Sequence, residues 1–197
     1  MNRTPKEALQ QLKEGNKRFT DGKRIPRDFT QQVVTTAQGQ YPYAAIVSCI
    51  DSRVPAEIVF DQGIGDIFSA RLAGNIIEVD MLGSLEFACK IAKSKLIVVM
   101  GHSKCGAIMG ACDGVQMGNL TTLLDKIKPV VDSVETSDDR SSKNDEFVQE
   151  VAEKNVLWGI EAIKKNSPIL KEMFDKGEID IVGAMYNIET GKVTFYE

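Results

Sequence analysis

Five consecutive apolar residues, Leu96-Ile97-Val98-Val99-Met100, close on Gly101 and constrain this chain more than any other segment. A strand built from such a run has no polar face to offer water, so it must be covered on both sides. Residues 43–50 form a second apolar run with β-branched residues, and residues 67–72 read as another strand. Segments with helical spacing alternate with them: a short one opened by Pro55, then residues 81–92, 105–112, 120–134 and 145–166, and one opened by Pro168 and ended near Gly177. Strands alternating with helices imply parallel pairing through crossovers. Residues 179–186 read as a further strand, which Gly191 turns into a last one, 192–196. The expected fold is α/β: a central, mostly parallel β-sheet flanked by helices, with an N-terminal helical arm and a C-terminal antiparallel edge strand.

With 197 residues, the chain is long enough for one domain with a sizeable core. We expect a single domain over 1–197, of which 1–42 form the arm and a connection. Within the arm, Ala8, Leu9, Leu12 and Phe19 make a narrow apolar stripe at helical spacing. Such a helix must lie on its own core or on a partner subunit. Pro26, Gly39 and Pro42 make residues 24–43 an expected extended connection. Residues 135–144, rich in Ser and Asp, are an expected mobile loop.

A net charge of -4 argues against nucleic acid as a partner. No segment has the apolar length of a bilayer span or the pattern of a signal peptide, so no membrane partner and a cytoplasmic location are expected. Four cysteines in a chain of this length do not suggest a disulfide framework; Cys89 and Cys112 read as ordinary core residues.

The candidate chemistry gathers at the ends of two strands. The only histidine, His102, lies in Gly101-His102-Ser103-Lys104-Cys105-Gly106, and a second cysteine lies in Cys49-Ile50-Asp51-Ser52-Arg53. In an open parallel sheet the ligand site lies beyond the carboxyl ends of the strands. If the two strands are neighbours, Cys49, His102 and Cys105 converge there as three zinc-type ligands with a fourth position open, as in catalytic zinc sites. Spacing alone is equally compatible with a loop histidine and two core thiols. Asp51 and Arg53 add weight, since in extended geometry Cys49, Asp51 and Arg53 share one side.

Together with Arg71-Leu72-Ala73-Gly74-Asn75, these two blocks resemble the β-class carbonic anhydrases in order and spacing. The resemblance implies a zinc enzyme that interconverts carbon dioxide and bicarbonate, with one Zn2+ per chain on Cys49, His102 and Cys105. It makes Asp51 and Arg53 the catalytic dyad that orients a zinc-bound hydroxide. It makes Gln62 and Gly106 candidate substrate-binding residues, Gln62 across a subunit interface. It also implies a homodimer or a dimer of dimers. Members that close at low pH often carry a tryptophan three residues before the first cysteine; Ile46 stands there, so the open type is expected. Hydrolysis of carbon disulfide or carbonyl sulfide on the same zinc is the alternative activity. A non-enzymatic zinc-binding interaction protein is the alternative class.

Overall fold

The structure is a computed structural model and describes residues 3–196. Five strands form one sheet in the order β2-β1-β3-β4-β5: β1 (Ala44–Ser48), β2 (Ile67–Arg71), β3 (Leu96–His102), β4 (Asp180–Tyr186) and β5 (Val193–Tyr196). The first four pair in parallel, and β5 returns antiparallel to β4 at the edge. The chain runs from β1 outward to β2, then crosses back over β1 to β3. The sheet therefore reverses its winding between β1 and β3, which opens a crevice at their carboxyl ends.

β1 and β3 are buried along their whole lengths, as their unbroken apolar sequences require. Alternate side chains go to opposite faces. Ile46, Val98 and Met100 meet Leu12 of α1 (Pro5–Thr20) and Val59 of α3 (Ala56–Val59) on one face. Val47, Ile97 and Val99 meet α4 (Val79–Glu86), α8 (Asp145–Asn166) and α9 (Pro168–Asp175) on the other. In α8 the buried positions Val148, Val151, Ala152, Asn155, Val156, Gly159, Ile160 and Ile163 recur every three or four residues, the spacing of one helix face. A third cluster at the carboxyl end of the sheet contains Cys49 and Cys105. It is closed by α5 (Gly106–Cys112), α6 (Gly118–Asp125) and α7 (Lys128–Ser133).

The stripe of α1 closes on the chain's own core: Ala8 and Leu12 are fully buried. Burying a leucine side chain contributes about 1.5–3 kcal/mol. The helix starts in a capping box, with Glu7 N–H donating to Thr4 Oγ1 (3.2 Å) and Thr4 N–H donating to Glu7 Oε2 (2.8 Å). Buried Asn16 then stitches it to two loops. Its Nδ2 donates to the carbonyls of Val59 (3.1 Å) and Gly191 (2.9 Å), and its Oδ1 accepts from Val193 N–H (2.9 Å).

Three segments depart from expectation. Residues 24–43 are not extended throughout, because Asp28 caps a helix, α2 (Phe29–Thr36), by accepting from Gln31 N–H at 2.9 Å. None of its residues is buried, so it leaves no apolar signature. The helix expected at 81–92 starts at Val79 and ends in a π turn, Phe87–Ile91. The stretch 120–134 is two helices, because Pro129 stands in the first turn of α7 and has no N–H to continue α6. Residues 135–144 form a loop, as expected, and the Arg140 guanidinium within it donates to the carbonyls of Val134 (2.6 Å) and Val131 (2.8 Å). Among the described residues, no helix is long and apolar enough to cross a membrane.

Candidate metal centre

Register places the site. Ser48 of β1 pairs with Met100 of β3, so Cys49, which follows β1, and His102, the last residue of β3, lie at adjacent strand ends at the winding reversal. Cys105 follows as the N-cap of α5. The ligand-type atoms of Cys49, His102 and Cys105 lie within 4.8 Å of one another, and all three residues are buried. Both cysteines are free thiols, with their sulfurs 3.9 Å apart.

Two observations fit this trio to a tetrahedral metal ion. Bonds of about 2.3 Å from one ion to two sulfurs require a sulfur–sulfur edge of about 3.8 Å, close to the spacing present. The second is the histidine. Its Nδ1 lies 3.0 Å from the Ser103 carbonyl, which can only accept, so Nδ1 carries the proton and Nε2 presents its lone pair. That Nε2 is buried with no hydrogen-bond partner. An unpaired buried acceptor costs about 1–3 kcal/mol, and a metal bond removes that cost. A backbone carbonyl on the far ring nitrogen is the usual support of a histidine ligand.

The thiols are coupled. The S–H of Cys105 bonded to the Cys49 sulfur favours the Cys49 thiolate and holds its pKa well down. The N–H of Gly74, 3.4 Å from the sulfur, acts in the same direction against the effect of burial. Cys105 is pushed up by its bond to Cys49, by burial and by the neighbouring thiolate. A cation bound to both sulfurs would favour the thiolate form of each and release their protons.

Asp51 and Arg53 flank the trio, brought together by a turn rather than by an extended strand. The chain leaves β1 at Ser48 and bends at Asp51, whose carbonyl accepts from Val54 N–H at 3.0 Å. Arg53 grips the Asp51 carboxylate with Nε on Oδ1 (2.9 Å) and Nη2 on Oδ2 (2.7 Å), and Arg53 N–H adds a bond to Oδ1 (2.9 Å). The Arg53 side chain holds the carboxyl down at about 2, against the effect of burial. Asp51 Oδ2 stands 3.9 Å from His102 Nε2, at the mouth of the trio.

Arg71, on the last residue of β2, fixes the backbone of the first ligand block. Its Nε donates to the Cys49 carbonyl (3.0 Å) and its Nη2 to the Asp51 carbonyl (2.6 Å). Arg71 and Gly74 belong to the block Arg71–Asn75 but not to the expected site residues. Nothing in the letters distinguishes an arginine that holds carbonyls from one that faces water. Ser103 ties the second ligand block to the β4–β5 turn, accepting on Oγ from Ile188 N–H at 3.1 Å.

The other two candidates lie differently. Gly106 is the first residue of α5, next to Cys105, and is exposed with open space where a side chain would be. Gln62 forms hydrogen bonds only outside the trio. Tyr43 Oη donates to its Oε1 (2.7 Å), and its Nε2 donates to the carbonyls of Phe60 (2.6 Å) and Asp61 (3.1 Å).

Comparison with known proteins gives one answer. Residues 44–193 match a family described as carbonic anhydrase. Carbonic anhydrase 2 of Mycobacterium tuberculosis is 37% identical over 195 residues, covering 97% of this chain and 92% of its own. The carbonic anhydrase of Mycolicibacterium smegmatis is 34% identical over 196 residues, covering 98% and 93%. A chain from the crystal structures of two tetrameric β-carbonic anhydrases of the filamentous ascomycete Sordaria macrospora superposes with a TM-score of 0.72 at 28% identity. It covers 84% of this chain and 89% of its own.

Proposed function

The chain belongs to the carbonic anhydrases, in their β class, and is a carbonic anhydrase; from that premise we propose which metal it holds and how its residues serve the reversible hydration of carbon dioxide. The family sets aside the reading as a non-enzymatic zinc protein. Cys49, His102 and Cys105 hold one Zn2+, since two thiolates and a neutral imidazole are a donor set that zinc prefers. When bound, zinc supplies a Lewis acid that brings the pKa of water from about 15.7 toward about 7. The observation that carries this assignment is the buried, unpartnered Nε2 of His102, facing two free thiols.

The rest of the work falls to the chain. Asp51 is a carboxylate at the mouth of the trio and accepts a proton-bearing group there. Arg53 occupies both of its oxygens on one side and so fixes the direction of the remaining lone pairs. The same grip keeps Asp51 from turning toward the thiols, which supports the open type. Ile46, fully buried in β1, fills the position of the tryptophan associated with closure. Gly106 leaves the approach beside Cys105 free of side-chain atoms.

Self-association completes the reading. The Sordaria macrospora relatives are described as tetrameric. Here the half-exposed Ile25, Phe29, Ile58 and Ile64 line a groove of about 670 Å³, and Gln62 lies along it. We place the second copy on this groove, so that the substrate contact of Gln62 runs across the interface. Metal analysis together with a carbon dioxide hydration assay tests the assignment, and Cys49→Ser is expected to lose both zinc and activity.

A further inference from the structure

Gly74 stands in the left-handed region, with φ 68° and ψ 17°, and Asn75 follows at φ 45°. A side chain is strained at that φ, and its Cβ would also press on Ile127 Cδ1 at 2.7 Å, so the position favours glycine. Glycine has the weakest conformational preference of any residue, yet this one aims its N–H at Cys49 Sγ (3.4 Å). The restraint comes from its carbonyl, which accepts from Asn155 Nδ2 at 2.8 Å. Asn155 is buried in the middle of α8, and its neighbours on that face, Val151, Ala152 and Gly159, are apolar or have no side chain. An amide in such surroundings is unfavourable unless its hydrogen bonds are made. The bond to Gly74 accounts for its presence.

We propose that Asn155 is a positioning residue for Cys49, holding Gly74 so that its N–H bonds the ligand sulfur. The inference rests on Cys49 being a metal ligand. A thiolate that accepts an N–H keeps less charge to donate to a metal, so Asn155 tunes the metal from α8 without touching it. Outer-shell partners of this kind change metal affinity or activity by about tenfold or more when removed.

The test uses the full chain loaded with cobalt(II), whose thiolate-to-metal charge-transfer absorption reads the donor strength of sulfur directly. Asn155→Leu removes the donor at similar volume. If it does not accumulate as folded protein, Asn155→Ser serves, because its hydroxyl is too short to reach Gly74. Ile163→Val trims one methyl from a fully buried residue of the same helix, in a core cluster separate from that of Cys49 and Cys105, and controls for lost stability. The expected result is one cobalt per chain in every protein, with the band moved to longer wavelength only in the Asn155 variant. In the zinc form, kcat of that variant falls about tenfold with KM little changed. An unmoved band with unchanged kcat in a folded Asn155 variant overturns the proposal, as does an equal shift in Ile163→Val. Wild-type protein with no thiolate-to-cobalt band overturns the assignment of Cys49 as a ligand, and this inference with it.

Discussion

Arg53 binds both carboxylate oxygens of Asp51, through Nε at 2.9 Å and Nη2 at 2.7 Å, only two residues further along the chain. An exposed ion pair contributes at most about 1 kcal/mol to stability, and half of the Arg53 side chain is open to solvent. The pair therefore matters for orientation more than for folding. Arg53→Ala is expected to leave the melting temperature within a few degrees and the zinc content intact, while kcat/KM for carbon dioxide falls by about tenfold or more. Removing the guanidinium lets the Asp51 carboxyl climb from about 2 toward its ordinary value near 3.9. It stays ionised at neutral pH in both proteins. The loss should therefore be uniform between about pH 6 and pH 8, and a loss confined to the acidic side of that window would contradict an orienting role.

Asp61 gives the clearest pH dependence of stability. It is buried, which alone would raise its pKa. Hydrogen bonds from Arg18, Arg27 and Ile25 N–H outweigh burial and hold it below the ordinary carboxylate range. A group depressed in the folded state stabilises above its unfolded pKa and loses that contribution as pH falls through the folded value. Asp61→Asn is expected to cost about 2 kcal/mol at neutral pH, less than a fully buried pair because both guanidinium groups keep some water. Asparagine tolerates the positive φ of 49° at this position, so the backbone is not the cause. The gap in melting temperature between variant and wild type should narrow as pH falls below about 4. A gap constant down to pH 2 would remove the ionised carboxylate from the account.

Gly15 sets two rules against each other. Glycine within a helix is about 1 kcal/mol less favourable than alanine, so propensity alone makes Gly15→Ala stabilising. A Cβ at that position, however, would lie 1.9 Å from the Phe60 carbonyl oxygen, which is backbone and cannot rotate away. The clash should win, because overpacking costs about 1–3 kcal/mol and this contact belongs at the upper end. Gly15→Ala is expected to lower the melting temperature and to speed proteolytic cleavage between α1 and α2. A higher melting temperature would mean that α1 does not dock as described.

Proton export supplies a kinetic prediction. His102 is the only histidine in the chain, and both of its ring nitrogens are committed in the proposed centre. No second imidazole is present to carry protons near neutral pH. Turnover is expected to rise with buffer concentration at fixed pH and ionic strength before it saturates. A rate indifferent to buffer would require a carrier within the protein.

The legible parts of this molecule are those in which one physical pattern acts alone. Uninterrupted apolar runs marked β1 and β3, and the long amphipathic period of α8 agrees with its limits, Asp145–Asn166. Cys49 and His102 were readable as strand-end residues because both follow such runs, and the pairing of β1 with β3 makes them neighbours. Where local and tertiary effects compete, the sequence pattern carries no such signal. Helix α2 buries nothing and is set by the cap of Asp28, so no periodicity announces it. The turn at Asp51 is made by its own carboxylate and carbonyl, and alternation in an extended strand was the wrong geometry for the right pair. Arg71, Gly74 and Asn155 reach the site through backbone atoms, which look the same in every residue. Asn155 lies on a helix that sequence places far from Cys49, and only the packing of α8 on the sheet brings it within reach of Gly74.

The most direct measurement is the zinc content of the purified chain, set beside its carbon dioxide hydration rate, for wild type and for Cys49→Ser. One zinc per wild-type chain is expected, with zinc and activity lost together in Cys49→Ser and activity lost when a chelator strips the metal from wild type. Full hydration activity from protein that contains no zinc would contradict the account.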